Sequence, residues 1–379
     1  IKLLYEEEND MKKNKGITLV ALVVTIVVLL ILAGVSINLV LGNNGIIAKA
    51  KDAETKSAEA SQNDLKGMNG LVSEMEGALA GNGSTGNGNT GSGNNFVTKN
   101  TEVTYPDGKV WIPEGFKVAG DSASTVQGGV VIEDKDGNQF VWVPVATLAD
   151  YKRRTWYTGN GSFSDYSEAL PEDERASVDA YKGFYIGRYE AGDKESTGTT
   201  KATFRTSSSD TSNSVTIKAD QVPYNYVTRT QAVSLAEGFA TKQGYKAKTK
   251  LVSSYAWDTT IAFIEKTVNN YGSSSSQGNY SDTSVTYKDI TDESKPEKTK
   301  AENSSLLVAT GQTTPVCNIY DMGGNVWEWT TETSSFPGYP YAVRGGDYLC
   351  GFAGEPAGYR KVISDGAYDG YGFRLTLFM

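Results

Sequence analysis

Residues 17–42 read ITLVALVVTIVVLLILAGVSINLVLG, a run without a single charged side chain. A helix of about 20 such residues spans a hydrocarbon core, so this segment is expected to cross a membrane rather than join a soluble core. Lys12, Lys13 and Lys15 stand directly before it. Positive charge on that side holds the N-terminus in the cytoplasm and places everything after the run outside. An apolar stripe at three- and four-residue spacing, Leu65, Met68, Leu71, Val72, Met75 and Leu79, extends the helical pattern beyond a break at Gly42-Asn43-Asn44-Gly45.

The residues around the cut-off between charge and apolar run carry a resemblance. Gly16 immediately before Ile17-Thr18-Leu19, behind Met11-Lys12-Lys13-Asn14-Lys15, resembles the class III signal of type IV pilins. The resemblance implies that prepilin peptidase cuts after Gly16, that Ile17 becomes a methylated terminus, and that the helix stays in the mature protein. A cleaved secretory signal fits less well, because the apolar run exceeds a usual h-region. Met11 reads as the start, with residues 1–10 outside the translated frame and 1–16 as leader. The pilin family usually has glutamate at the fifth mature position, where it meets a neighbouring subunit's terminal amine. Here that position is Ala21, so the helix can serve either a filament with other pilins or a membrane anchor.

Residues 81–95, GNGSTGNGNTGSGNN, contain only glycine, serine, threonine and asparagine. Such a segment buries no apolar surface and reads as a flexible linker between a helix at 17–80 and a domain at 96–379. All six tryptophans lie beyond it. In that domain GGVVIEDKDGNQFVWVPV, residues 128–145, is two apolar runs around Asp136-Gly137-Asn138, a hairpin signal. Its Asp134–Asn138 stretch has the beginning of a calcium loop without the distal glutamate, and a plain turn is the stronger reading. GFYIGRYEAG (183–192) reads as a central strand, Thr230–Gln243 and Ser254–Asn269 as helices, and 191–215 and 271–305 as polar surface loops. The fold class is therefore α+β.

The chain has no histidine and two cysteines, Cys317 and Cys350, with a net charge of −9. The first fact removes Ser-His-Asp and Cys-His catalysis and histidine-bound zinc or iron. A metal here needs oxygen ligands, which suits calcium. The acidic balance argues against a general nucleic-acid partner, though a local basic patch is allowed. The two thiols could form one bridge outside the cell.

Three ordered motifs identify the domain: Gly324-Asn325-Val326-Trp327-Glu328-Trp329, Arg344-Gly345-Gly346 and Gly372-Phe373-Arg374. Together with VWVPV and GFYIGRYEAG they resemble the formylglycine-generating-enzyme (sulfatase-modifying factor) superfamily, a variant of the C-type lectin fold. Trp327 and Trp329 are expected on opposite sides of a strand, one of them anchoring the core. Arg344 and Arg374 are fork donors suited to clamping carboxylates or carbonyls where loops return, and the glycines allow close approach. The resemblance implies a calcium set of Asp321 and Glu328 side chains with Gly324 and Val326 carbonyls. The bland alternative has Asp321 capping the turn and Glu328 paired with an arginine.

Oxidase members of the superfamily hold copper on two cysteines spaced five apart near the Gly-Gly turn. Cys350 occupies the first place, but Glu355 stands in the second. One thiolate does not hold Cu(I), and a thiol-exchange cycle needs a resolving thiol, so the chain is read as a non-enzyme. What remains is recognition of a protein or glycan by the loops before the last strand, a region rich in tyrosine, glycine, serine and aspartate. The candidate contact residues are Tyr348, Leu349, Cys350, Phe352, Glu355, Tyr359, Lys361, Asp365, Tyr368 and Tyr371. In the superfamily a similar segment is the variable region diversified by retroelements. The reading is a surface-displayed, pilin-like receptor or adhesin, with a structural minor pilin as the alternative and an oxidase third.

Overall fold

The structure is a computed structural model that describes residues 95–156, 163–195, 205, 211–212, 214–290, 294 and 296–379. The leader, the apolar helix, its amphipathic extension and all but the last residue of the linker lie outside the described residues.

The hairpin at Asp136-Gly137-Asn138 forms as its sequence suggests. Val131–Glu133 pairs antiparallel with Gln139–Pro144, placing Val131 opposite Val141 and Ile132 opposite Phe140. The turn is closed by its own first acid. Asp134 accepts from the backbone N–H of Asp136 (2.9 Å) and Asn138 (2.7 Å), and from the Asn138 amide. The Tyr245 hydroxyl donates to the same carboxylate. Asp134 is thus an Asx-turn acceptor whose oxygens are taken, which is the plain-turn outcome.

These two strands belong to a six-stranded antiparallel sheet in the order 248–251, 375–378, 183–187, 139–144, 131–133, 117–118. Gly183–Gly187 is interior and buried throughout. Strand pleating sends alternate residues to opposite faces. Phe140, Trp142 and Tyr185 enter one apolar core, and Val141, Val143, Phe184 and Ile186 enter the other. The sheet is therefore covered on both sides, which explains why VWVPV and GFYIG are continuous apolar runs. The expected strand over 183–192 ends at Gly187; Gly192–Asp193 joins a small three-stranded sheet instead.

Helix Arg229–Gln243 starts at a capping box, in which Thr228 and Gln231 exchange side-chain and backbone bonds, and stops at Gly244 with φ +74°. Helix Ser254–Ile264 is capped by Ser253 and ends five residues before the expected Asn269. A further helix, Glu172–Tyr181, was not read from the sequence. Its signal was present: Pro171 followed by three acids in the first turn, favoured by the helix dipole.

The second sheet carries the motifs. Strand Trp327–Ser334 lies between Tyr341–Arg344 (antiparallel) and Tyr371–Phe373 (parallel), with Arg360–Ile363 outside Tyr341–Arg344. Both tryptophans point into the same core, Trp327 at 1% and Trp329 at 0% exposure, which corrects the expectation that they face opposite ways. Residues two apart on a strand share a face; it is Glu328 that points the other way. Overall the described domain is mixed α and β, mostly sheet with few helices.

The polar stretch 271–305 is also more than surface. Tyr271, Asn279, Tyr280 and Lys300 are buried, and strands Val285–Tyr287 and Lys298–Lys300 pair within it. The Lys300 ammonium donates to the carbonyls of Tyr280 (2.7 Å), Thr283 (2.5 Å) and Ser304 (3.0 Å), closing the loop on itself.

Two glycines with opposite surroundings test this packing. A Cβ on Gly183 would sit 2.2 Å from the Trp142 ring, whereas one on Gly238, within helix Arg229–Gln243, meets nothing within 4 Å. Gly183→Ala should destabilise by about 1–3 kcal/mol through overpacking. Gly238→Ala should stabilise by about 0.5–1 kcal/mol through helix propensity. Urea unfolding midpoints read both, and shifts of the same sign would contradict the packing described.

Candidate functional site

The frame of the site is a pair of buried guanidinium groups. Arg374, fully buried, donates Nε to both Glu328 oxygens (3.1 Å each) and Nη2 to Glu328 Oε1 at 2.7 Å. Its other donors reach the Gly187 and Tyr320 carbonyls, each at 2.8 Å. One side chain therefore ties the end of the 183–187 strand to the Asp321 turn and to the Trp-Glu-Trp strand.

This arrangement answers the calcium expectation. Both Glu328 oxygens are committed to Arg374, and Asp321 accepts from the Gly311 N–H (2.8 Å) and the Thr313 hydroxyl (2.6 Å). Gly324 and Asn325 take left-handed conformations, φ +75° and +59°, and the Gly324 N–H donates to the Gly345 carbonyl. Val326 is buried and donates its N–H to Glu190. The donor set does not fit calcium: protein donors hold both carboxylates, and a guanidinium already supplies the positive charge. Asp321 fixes the turn and Glu328 pairs with an arginine, as the alternative reading had it. Burial, reinforced by Asp321 and Glu328, holds the Glu190 carboxyl well above the usual carboxylate range.

Arg344, also fully buried, pairs with Asp258 at 2.7 Å and donates to the carbonyls of Gly358 and Tyr359. Arg360 bridges the same Asp258 (2.5 Å) and Glu332 (2.9 Å), which also takes Arg153. The returning loop is thus clamped where the fork geometry predicted. Gly346, φ +76°, is required because a Cβ there would lie 2.4 Å from the Glu355 carbonyl.

Of the ten candidate contact residues, Tyr348 and Tyr359 are corrected as buried, and Asp365 has a structural partner. Tyr348 is 3% exposed and packs with Val222, Leu307 and Val326, its hydroxyl on Asp369. Tyr359 is 5% exposed, its ring 5.9 Å from that of Trp327. Asp365 is on the surface, but its carboxylate accepts from the Arg229 N–H (2.7 Å) and the Thr230 hydroxyl (2.8 Å), so it caps a helix. Composition alone could not separate these from their neighbours, since tyrosine and aspartate serve core and surface alike.

The other seven are exposed or half-buried. Leu349 and Tyr368 are exposed, while Cys350, Phe352, Glu355, Lys361 and Tyr371 are half-buried. The Lys361 ammonium sits 4.7 Å above the Trp327 ring and 3.6 Å from Glu355. Tyr371 stacks edge-on between Tyr368 (5.3 Å) and Trp329 (5.7 Å). Sequence reasoning missed the residues that hold this loop. Asp347 accepts from the Leu349 and Cys350 N–H groups, Ser281 donates twice to the Cys350 carbonyl, and Asp282 takes the Phe352 N–H. Tyr280 donates to the Gly345 carbonyl and its ring meets Phe352 at 6.3 Å. The only available signal was the aromatic-polar SQGNYSD stretch inside a segment read as surface.

Cys317 and Cys350 are both free thiols. They belong to different cores, Cys317 contacting Thr267 and Gln127 and Cys350 lying against the Trp327 core, so the suggested bridge does not form. Burial pushes the Cys350 thiol well up, and the carboxylates of Asp347 and Glu355 push it further.

With this geometry in place the family follows. Residues 94–377 match the sulfatase-modifying factor enzyme 1-like domain, and the chain belongs to that family. Among solved structures it is similar to CarF (14% identity, TM-score 0.36, 64% of this chain and 98% of that one). It is also similar to PvdO from Pseudomonas aeruginosa (16%, 0.35, 66% and 98%) and to Treponema denticola variable protein 1 (14%, 0.35, 64% and 96%). No curated protein matches it.

Two measurements test the site. Arg374→Met should cost about 3–5 kcal/mol, because it strands a buried carboxylate, and adding Glu328→Leu should restore most of it. A single-variant loss under about 1 kcal/mol in urea unfolding would contradict the clamp. Iodoacetamide should alkylate Cys350 in the folded protein at pH 8 at least about tenfold more slowly than an unperturbed thiol, because thiolate is the reacting form. An equal rate would show an activated cysteine.

Proposed function

We propose that this chain is a non-catalytic, surface-displayed ligand-binding protein: a pilin-like helix and linker present a sulfatase-modifying-factor domain of C-type-lectin type. Its ligand, a protein or glycan, is taken by the face bearing Leu349, Phe352, Glu355, Lys361, Tyr368 and Tyr371. The observation that carries this reading is the contrast within one segment. Leu349 stands 53% exposed on a loop whose backbone is fixed by Arg344, Asp347, Ser281 and Asp282, and Tyr368, 50% exposed beyond strand Arg360–Ile363, rests edge-on against Tyr371. Exposed apolar and aromatic side chains on a rigid support lose little entropy on binding.

The environment of Cys350 speaks against an oxidase role. Reactive thiols have lowered pKa values and cationic surroundings, whereas this thiol faces two carboxylates. Glu355, in the place of a second thiol, forms a long ion pair with Lys361 instead. The segment 344–375 is the stretch on which retroelement diversification would act; a near-copy of its coding sequence beside a reverse transcriptase gene would support that.

The test joins display and binding. Mass spectrometry of the native protein should find an N-methylated terminus at Ile17, and immunogold should label the cell envelope or pili. A panel of surface glycans and proteins offered to the full-length chain should yield a ligand whose affinity falls at least about tenfold in Leu349→Ala/Tyr368→Ala. Pilus labelling with no ligand loss in that variant would favour the structural minor pilin. Copper-dependent oxidation of a cysteine peptide that disappears in Cys350→Ala would favour the oxidase.

A further inference from the structure

A cavity lies beside the Asp136 turn and the C-terminal half of helix Arg229–Gln243, and has a volume of about 310 Å³. That is the small end of the roughly 300–1,000 Å³ range of ligand pockets. Three lysines from three separate segments line it: Lys194, Lys218 and Lys242. None of them is within ion-pair distance of a carboxylate among the described residues. The one acid in the lining, Asp136, is already paired with Lys135 at 2.7 Å. In a chain of net charge −9 this is a local excess of positive charge. A helix C-terminus accounts for Lys242, which lies in the last turn, but not for Lys194 or Lys218.

Two further features belong to the same wall. Thr216 is 4% exposed and its hydroxyl has no hydrogen-bond partner among the described residues. Leu235 and Phe239, one helical turn apart, add an apolar surface. Ammonium groups are point-charge partners for phosphate and sulfate oxygens, and an apolar floor suits the face of a sugar ring.

We propose that this cavity binds a small sugar carrying a tetrahedral oxyanion, a phosphate or sulfate ester, with Lys194, Lys218 and Lys242 around the anion. Calorimetric titration of the full-length chain with glucose 6-phosphate, glucosamine 6-sulfate, glucose and inorganic phosphate tests it. At least one ester should bind, glucose should not, and phosphate alone should bind at least about tenfold more weakly. Affinity should fall with added salt. The triple variant Lys194→Gln/Lys218→Gln/Lys242→Gln should lose at least about tenfold in affinity. Lys99→Gln/Lys266→Gln/Lys298→Gln, which changes net charge equally at other surface positions, should bind as the parent does. The proposal is overturned if neither ester binds, if phosphate alone binds as tightly as the esters, or if the two triple variants lose affinity alike. All six substituted lysines are at the surface or half-exposed, so both variants should fold, and circular dichroism checks this.

Discussion

The Arg374–Glu328 pair is the contact on which the domain's other features rest. Both groups are fully buried, and such a pair is stable only when its desolvation is offset by good geometry and further hydrogen bonds. Here Glu328 receives three contacts at 2.7–3.1 Å, and the remaining guanidinium donors satisfy two carbonyls. Those carbonyls belong to the 183–187 strand and the Asp321 turn. The clamp therefore fixes, in one place, the two-faced sheet and the irregular turn that delivers Trp327 and Trp329 to the core. It also occupies the position where the family resemblance suggested a metal ion.

Arg344 repeats the device one strand away. Its hold on Asp258 and on the Gly358 and Tyr359 carbonyls brings the chain back after a long irregular excursion. The excursion is supported from beneath by residues 280–282, themselves drawn in by the Lys300 ammonium. Polar side chains bonded to backbone thus do for this loop what ladder hydrogen bonds do for strands. The Leu349 and Phe352 side chains take no part in these bonds, which join the loop's backbone to the side chains of Arg344, Asp347, Ser281 and Asp282.

Much of this was legible in the sequence, and the misses have definite causes. The Asp136-Gly137 hairpin, the capped helices and the two clamping arginines were readable because local chemistry fixes them. Trp327 and Trp329 share one face because residues two apart on a strand point the same way, which the expectation of opposite faces overlooked. Tyr348, Tyr359 and Asp365 were read as contact residues because a tyrosine- and aspartate-rich segment looks uniform. Their roles depend on partners far along the chain, Val222, Trp327 and Arg229 among them. Residues 271–305 looked like surface because their polar groups gave no hint that carbonyls 280, 283 and 304 would converge on one ammonium.

Sequence alone determined the family, through three ordered motifs, and the absence of histidine chemistry, because composition is independent of folding. It also showed that no second thiol stands five residues after Cys350. Only the tertiary structure decided which carboxylate pairs with which arginine. It alone decided which tyrosines face outward and that three lysines from distant segments border one cavity. The reason is the range of the forces involved. Turns, caps and strand pleats are set by neighbours a few residues apart, whereas burial and ion pairing are set by whatever the folded chain brings within about 4 Å.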